Sequence, residues 1–480
     1  MIKKFVGKPL SVLLCAAIVL SCSVFSGSAA KPQWDEYWDD YSQKGEALYM
    51  SPGSDETSRG FSWYSPSCSG KCFVEVSTSP DMSGAIKFPG EFVKAGDADR
   101  RNRVTVSGLS LGTEYYYRCG IGSVYSDIYS FRTLSSGSED FSLFYTTDIH
   151  ITESSEDEYA IRDFSYNLDT TLNAALERRE DLALVLSGGD QASYGLVSEY
   201  IGLVASPVFR SIPFATTIGN HDRKAPTYKH FKHVPNEYKN YITSSYIGSD
   251  YWFVMGDVLF LMLDTNNPSA EDHRNFVKKA VAENPDVYWR VAVFHHDLYG
   301  GRIPKREQEN GLLRMLLTPI MDEFKVDLAL MGHSHFYTIS NVMFNDKTVL
   351  PTAELDSVDN PAGTIYMVSG SINRPRIETG GEAPPLGEHI GKSYLTEEKI
   401  YNIIDFTDDS IAIHSYTLES GEEFESFTIS KTSNDGGHPD SRPGFKDTIV
   451  RYISVLVGIF NNLGRTLDYL KDYLTKTFNF

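Results

Sequence analysis

The sequence predicts an α/β body of alternating strands and helices, preceded by a small all-β sandwich and followed by a C-terminal helix. Three observations carry this reading. From Phe141 to about Thr428, apolar β-branched runs alternate with stretches of helical periodicity. Between about residues 55 and 134, short strand-like runs are separated by Gly, Ser, Pro and Asp turns, with no helical period. Beyond Asn434, apolar residues recur at steps of four and three.

Taken in order, the first thirty residues read as an export signal. Lys3, Lys4 and Lys8 supply a positive start, Val12 to Val19 an apolar core, and Ser28-Ala29-Ala30 a small-residue cleavage site. The pattern Val19-Leu20-Ser21-Cys22 also resembles a lipobox, which would make Cys22 a lipidated N-terminus, so the chain is expected to be secreted or held at the cell surface. Residues 31–135 are assigned to the β-sandwich, with strands at Gly60 to Tyr64, Phe73 to Thr78, Arg103 to Val106, Glu114 to Arg118 and Asp127 to Arg132. Cys68 and Cys72 could close a small hairpin disulfide there, with Cys119 left over; the alternative is three reduced thiols.

Residues 136–430 form the α/β body. Strand Phe141 to Thr147 leads to a helix near Ile161 to Arg179, and Leu182 to Leu186 leads to Leu196 to Val204. Trp289 to Phe294 leads to a helix at Glu307 to Phe324 and then strand Asp327 to Met331. Tyr251 to Asp264 reads as two strands around Gly256-Asp257, with more at Thr364 to Ser369 and Ile403 to Tyr416. In residues 431–480, Asn434 to Gly444 reads as a linker. Ile449, Ile453, Leu456, Phe460, Leu463, Leu467, Leu470 and Leu474 then make a heptad seam that could dock on the protein itself, self-associate or lie on a membrane surface.

Five short motifs fall where strands give way to loops: Asp148-Ile149-His150, Gly189-Asp190, Gly219-Asn220-His221-Asp222, His295-His296 and Gly332-His333-Ser334-His335. Imidazoles, carboxylates and one carboxamide suit first-row metals, and no Cys lies between Ile121 and the C-terminus to make a thiolate site. Asp148, His150, Asp190, Asn220, His295, His333 and His335 are too many donors for one tetrahedral ion, so two metal ions are expected if one carboxylate bridges.

This ordered set resembles the calcineurin-like metallophosphoesterase superfamily. The segment ahead of it, with Trp63 and the run Leu109 to Tyr117, is similar to the fibronectin-type-III-like domain that precedes the catalytic domain of purple acid phosphatases. The resemblance implies a four-layer β-sandwich flanked by helices, the metallophosphoesterase fold. It implies that Asp148, His150 and His335 hold one metal, Asp190 bridges, and Asn220, His295 and His333 hold the other, the ions being Fe, Zn or Mn. His221 would face the substrate and protonate the leaving alkoxide or stabilise its charge, with Asp222 able to orient it. His295 is favoured over His296 because it comes first after its strand, although the two roles could be exchanged. Purple enzymes place a tyrosinate where this chain has Ser193, and His150 stands where they have Gly, so the site resembles an imidazole version without the coloured ligand.

The activity expected from the resemblance is hydrolysis of phosphate monoesters by metal-activated hydroxide. A phosphodiesterase or nucleotidase on the same site, and a surface-binding protein with a silent catalytic domain, are the alternatives. The chain is long enough, at 480 residues, for two or three domains, and its 41% hydrophobic and 13% aromatic content is that of a folded protein. A net charge of −20 argues against binding a nucleic-acid backbone, whereas a small phosphorylated substrate remains compatible once cations offset the acidity locally.

Overall fold

The computed structural model describes residues 31–66, 70–94, 99–135, 140–239, 248–267, 269–300, 304–374 and 387–439. The export signal, Cys22, Cys68 and the C-terminal heptad seam therefore lie outside the described residues.

Two seven-stranded sheets face each other in the α/β body. One runs, by edge order, through Phe214–Thr216, Leu182–Ser187, Phe141–Thr146, Ile400–Phe406, Ser410–Thr417, Glu423–Ser430 and Ser357–Asp359. The other runs through Tyr251–Met255, Val258–Leu263, Trp289–Phe294, Leu328–Met331, Ile365–Val368, Tyr337–Ser340 and Ile390–Tyr394. Alternation along each strand divides its apolar residues between two cores. Leu143, Tyr145, Leu184 and Leu186 of the first sheet meet Phe260, Met262, Val291 and Leu330 of the second in a dry layer between the sheets. Phe144 and Val185 point outward onto Leu168 and Leu172 of helix Ala160–Arg178. On the far side, Leu261, Ala292 and Ala329 pack beneath helix Ala270–Glu283 and helix Pro304–Glu323. The result is the four-layer order helix, sheet, sheet, helix.

The smaller domain is a β-sandwich. A four-stranded sheet includes the long antiparallel partners Ser58–Pro66 and Asp99–Ser107, and a second sheet is built on Cys72–Ser77 paired with Glu114–Ile121. Phe61, Trp63, Val74, Val104, Tyr117 and Phe131 fill the space between them. Among the described residues Cys72 and Cys119 are free, buried thiols in that core, and the Cys68–Cys72 pairing considered above lies outside the described residues. The sandwich is fastened to the α/β body by Tyr49 Oη donating to the carbonyl of Phe231 (3.1 Å) and Tyr117 Oη to that of Arg210 (2.8 Å).

Two boundaries differ from the sequence reading. Residues 31–44, assigned above to the sandwich, form helix Lys31–Lys44 instead. Trp34, 1% exposed, donates its indole N–H to the carbonyl of Arg162, and Tyr37 and Tyr41 donate to the carbonyls of Ala205 and Ile201, so this helix is a brace on the α/β body. Asn434, read as the start of a linker, is docked. Lys431 Nζ lies 2.9 Å from both oxygens of Asp327 and donates to the carbonyl of Asn434, while Lys325 pairs with Asp435 (2.8 Å). The body thus extends to at least His438, which is buried.

Candidate metal centre

Asp148, Asp190, Asn220, His295 and His333 all follow the carboxyl ends of strands that run parallel to a neighbour, so both sheets deliver polar side chains to one rim. The chain must turn sharply there. Asp148, His150, Asp190, His333 and His335 all have positive φ, between 50° and 75°. A non-glycine residue in that region costs of order 1 kcal/mol or more and persists where surrounding structure over-determines it. The adjacent glycines permit the close approach: a Cβ on Gly219 would fall 2.0 Å from Asp190 Oδ1, and one on Gly332 1.9 Å from Thr147 Oγ1.

Two groups of donors bridge the sheets, overlapped by a set of His150, Asp190 and His221 that also lies within reach of one ion. In the first, His335 Nε2 lies 3.1 Å from Asp148 Oδ1 and 3.2 Å from His150 Nε2. In the second, His295 Nε2 lies 3.2 Å from each of Asp190 Oδ2, Asn220 Oδ1 and His333 Nδ1. Asp190 Oδ2 is also 3.8 Å from His150 Nε2, so this carboxylate sits between the groups. The seven donors expected from the sequence are brought together, and each group draws on both sheets.

These residues fit a pair of cations. Ring nitrogens that face each other at 3.2 Å on buried imidazoles have their partner nitrogens occupied elsewhere: His335 Nδ1 by the carbonyl of Arg374 (2.8 Å) and His295 Nδ1 by that of Gly188 (3.1 Å). Oδ2 of Asp148 accepts from Thr147 Oγ1 (2.9 Å) and from the amide of His333 (2.7 Å), whereas its fully buried Oδ1 has no hydrogen-bond donor among the described residues. Lone pairs converging in a site without thiolates are what a first-row divalent ion requires. Without a metal, the imidazoles themselves offset the charge of the buried carboxylates. Burial alone would raise the Asp148 and Asp190 carboxyls, but the surrounding imidazoles hold both well below the usual range. Burial pushes His150 down to about 3, and at His295 the same burial is outweighed by Asp190 and Asp148, which push it up to about 9.

His221 stands at the edge of this cluster, its ring centroid 4.7 Å from that of His150. Lys224 Nζ lies 2.7 Å from His221 Nδ1 and 2.9 Å from the carbonyl of Ser193. Nδ1 also lies 2.9 Å from the carbonyl of Ser193, which can only accept, whereas a charged Lys224 can only donate, so the two neighbours favour opposite tautomers of this ring. Asp222 does not orient this ring, and that expectation is corrected. Its carboxylate accepts from Tyr200 Oη (2.8 Å) and from the amides of Gly219 (2.9 Å), Ala192 (3.0 Å) and Gln191 (3.3 Å). Adjacent residues in a tight turn diverge, so Asp222 points inward and pins the two loops together. Burial, with Asp190 nearby, pushes its carboxyl up to about 7. Of the paired histidines, His295 joins the donor group, while His296 lies 2.8 Å from Thr265 Oγ1.

Thr147, Lys224, Ser371 and Arg374 were not singled out from the sequence. Ser371 donates to the carbonyl of Asp148 (2.6 Å), and Arg374 reaches Thr152 Oγ1 (3.0 Å) and Ser193 Oγ (3.1 Å). The signal for the last two was present: residues 370–374 follow Ile365–Val368, another parallel strand of the second sheet, and so reach the same rim.

Fold and site together define a calcineurin-like phosphoesterase domain: residues 141–337 match the family described as Calcineurin-like phosphoesterase. More narrowly, residues 46–133 match the Purple acid Phosphatase, N-terminal domain, and the chain's homologues are purple acid phosphatases. It is 24% identical over 315 residues to Purple acid phosphatase 23 of Arabidopsis thaliana, covering 56% of this chain and 61% of that one. Probable inactive purple acid phosphatase 24 of the same plant is 23% identical over 305 residues, covering 56% and 46%. The chain thus spans about half the length of these curated relatives. In fold it is similar to purple acid phosphatase PPD1 from yellow lupin (Lupinus luteus) seeds, with a TM-score of 0.64 at 18% identity over 84% of this chain and 75% of that one.

Proposed function

We propose that this chain is an exported phosphatase with a dinuclear metal centre, hydrolysing phosphate monoesters. The observation that supports it is the shared carboxylate: Asp190 lies between two donor groups that each combine a carboxylate with imidazoles, and all seven donor positions are retained. Asp148, His150 and His335 would hold one ion and Asn220, His295 and His333 the other, with Asp190 common to both. Two bound cations would supply positive charge to the phosphoryl oxygens and lower the pKa of a water within reach. The chain's own part is to fix that charge in a buried rim and to present a proton. His221, whose Nδ1 faces Lys224 and the carbonyl of Ser193, would turn Nε2 to the leaving oxygen and, when protonated there, supply its proton.

Export rests on the N-terminal sequence; among the described residues no helix is long and apolar enough to cross a membrane. The test is metal analysis of the purified full chain, followed by a panel of monoesters, diesters and nucleotides. Two ions per chain with turnover greatest on monoesters is expected. A metal-free, inert protein would overturn the reading, and a preference for diesters would move it to a phosphodiesterase.

A further inference from the structure

Arg374 belongs to no donor group, yet two donors of the first group depend on it. Its main-chain carbonyl lies 2.8 Å from His335 Nδ1, and its guanidinium donates to Ser193 Oγ (3.1 Å) and Thr152 Oγ1 (3.0 Å). Ser193 Oγ in turn lies 3.3 Å from His150 Nδ1 and 2.6 Å from Thr152 Oγ1, and Thr152 donates to the carbonyl of His150 (2.7 Å). The protons in this network can be assigned by elimination. Thr152 spends its hydroxyl proton on the His150 carbonyl, so it accepts from Ser193; Ser193 has then spent its own proton and can only accept from the ring. His150 therefore carries its proton on Nδ1 and turns a bare Nε2 toward His335, Asp148 and Asp190. His335, whose Nδ1 faces a carbonyl, must donate there and likewise presents a bare Nε2.

We infer that Arg374 is a positioning residue of the first metal subsite, fixing the ring tautomer of His150 through Ser193 and Thr152 and that of His335 through its own carbonyl. The inference rests on the dinuclear reading above.

The experiment uses the full chain, stripped of metal and titrated with Co²⁺ by calorimetry and visible absorption, in wild type, Arg374→Gln, Arg374→Lys and Ser193→Ala. Arg374→Gln and Ser193→Ala should each weaken one of two Co²⁺ binding steps by about 10- to 100-fold, the usual effect of removing a partner of a metal-binding imidazole, and leave the other step within about threefold. Arg374→Lys should recover part of the loss, and ¹⁵N spectra of metal-free wild type should place the His150 proton on Nδ1. Should Arg374→Gln fail to fold, judged by its thermal transition, Ser193→Ala and the wild-type spectrum still decide. Wild type binding two Co²⁺ ions, with Ser193→Ala and Arg374→Gln matching it at both steps, would overturn the role of Arg374 alone. Wild type taking up no Co²⁺ would overturn the dinuclear reading with it.

Discussion

The main-chain amide of His221 donates to Asp190 Oδ1 at 2.7 Å. That bond ties the loop bearing the proposed proton donor to the carboxylate shared by the two donor groups, and it leaves Oδ2 as the oxygen near His295 and His150. Asp190→Asn keeps the size of the side chain and removes its charge. It should lose most turnover and at least one metal ion, because a neutral amide cannot hold two cations at the spacing of one phosphoryl group. Metal analysis beside turnover measurement checks it; full activity with two ions bound would remove the shared-carboxylate role.

His221→Ala should keep both ions and lose about 10²- to 10⁴-fold in turnover, the usual range for a general acid. The loss should shrink for aryl esters, whose leaving groups need no proton. Lys224→Met, which leaves His221 Nδ1 facing only the carbonyl of Ser193, should show the same ester dependence with a smaller loss. Equal losses on aryl and alkyl esters would count against the proton-donor role of His221.

Iron-loaded protein should lack a visible phenolate band. Ser193 occupies the position where purple enzymes have their tyrosinate, and the next residue, Tyr194, is 49% exposed with Lys224 Nζ 5.4 Å from its ring centroid. Recovery of activity after chelation should favour Zn, Mn or Fe(II). A strong purple colour would mean that Tyr194 reaches the metal.

Ending the chain at Pro439 should leave turnover nearly unchanged, because the anchors among the described residues of the terminal segment, Lys431, Asn434 and Asp435, lie before it. Any change in oligomeric mass or membrane retention would then belong to the seam beyond. Lys431→Met is a different matter: it strands the carboxylate of Asp327, which is 1% exposed, and breaking such a buried pair costs about 3–5 kcal/mol. Denaturant midpoints of the two variants separate the cases.

Stability should fall as pH rises through the alkaline range, and His273 identifies one cause. Burial lowers its pKa, but Asp250 at 2.7 Å outweighs that and pushes it up to about 9. A folded value above the unfolded value of about 6.5 means that the native state holds the proton more tightly. The contribution, of order 3 kcal/mol from the size of that shift, is complete below about pH 6.5 and is lost as pH climbs through about 9. Urea midpoints from pH 6 to 10 should decline less steeply in His273→Gln than in wild type.

Much of the fold was legible because strand period and strand-end chemistry are local. Leu182–Ser187 and Trp289–Phe294 are continuous apolar runs, and the residues that follow them are polar for a reason no packing argument supplies. Helix Lys31–Lys44 was missed although Trp34, Tyr37, Trp38 and Tyr41 keep helical spacing, because its burial depends on helix Ala160–Arg178, over a hundred residues away. Helix Ala270–Glu283 was missed likewise, although Ser269 caps it and Phe276, Val277 and Ala280 form its inner face. Within the site, donor identities followed from residue type, but directions did not. Asp222 adjoins His221 in sequence yet serves Tyr200, Gln191, Ala192 and Gly219, while the partners His221 does have come from Ser193 and Lys224.

Each donor group takes side chains from both sheets: Asp148 and His150 with His335 in one, Asp190 and Asn220 with His295 and His333 in the other. Ions bound there would act as clasps across the seam between two halves of the body, and the free energy of their binding would become part of the free energy of folding. A chelator would then destabilise the fold, and the melting temperature would follow the surrounding metal concentration as well as the apolar core.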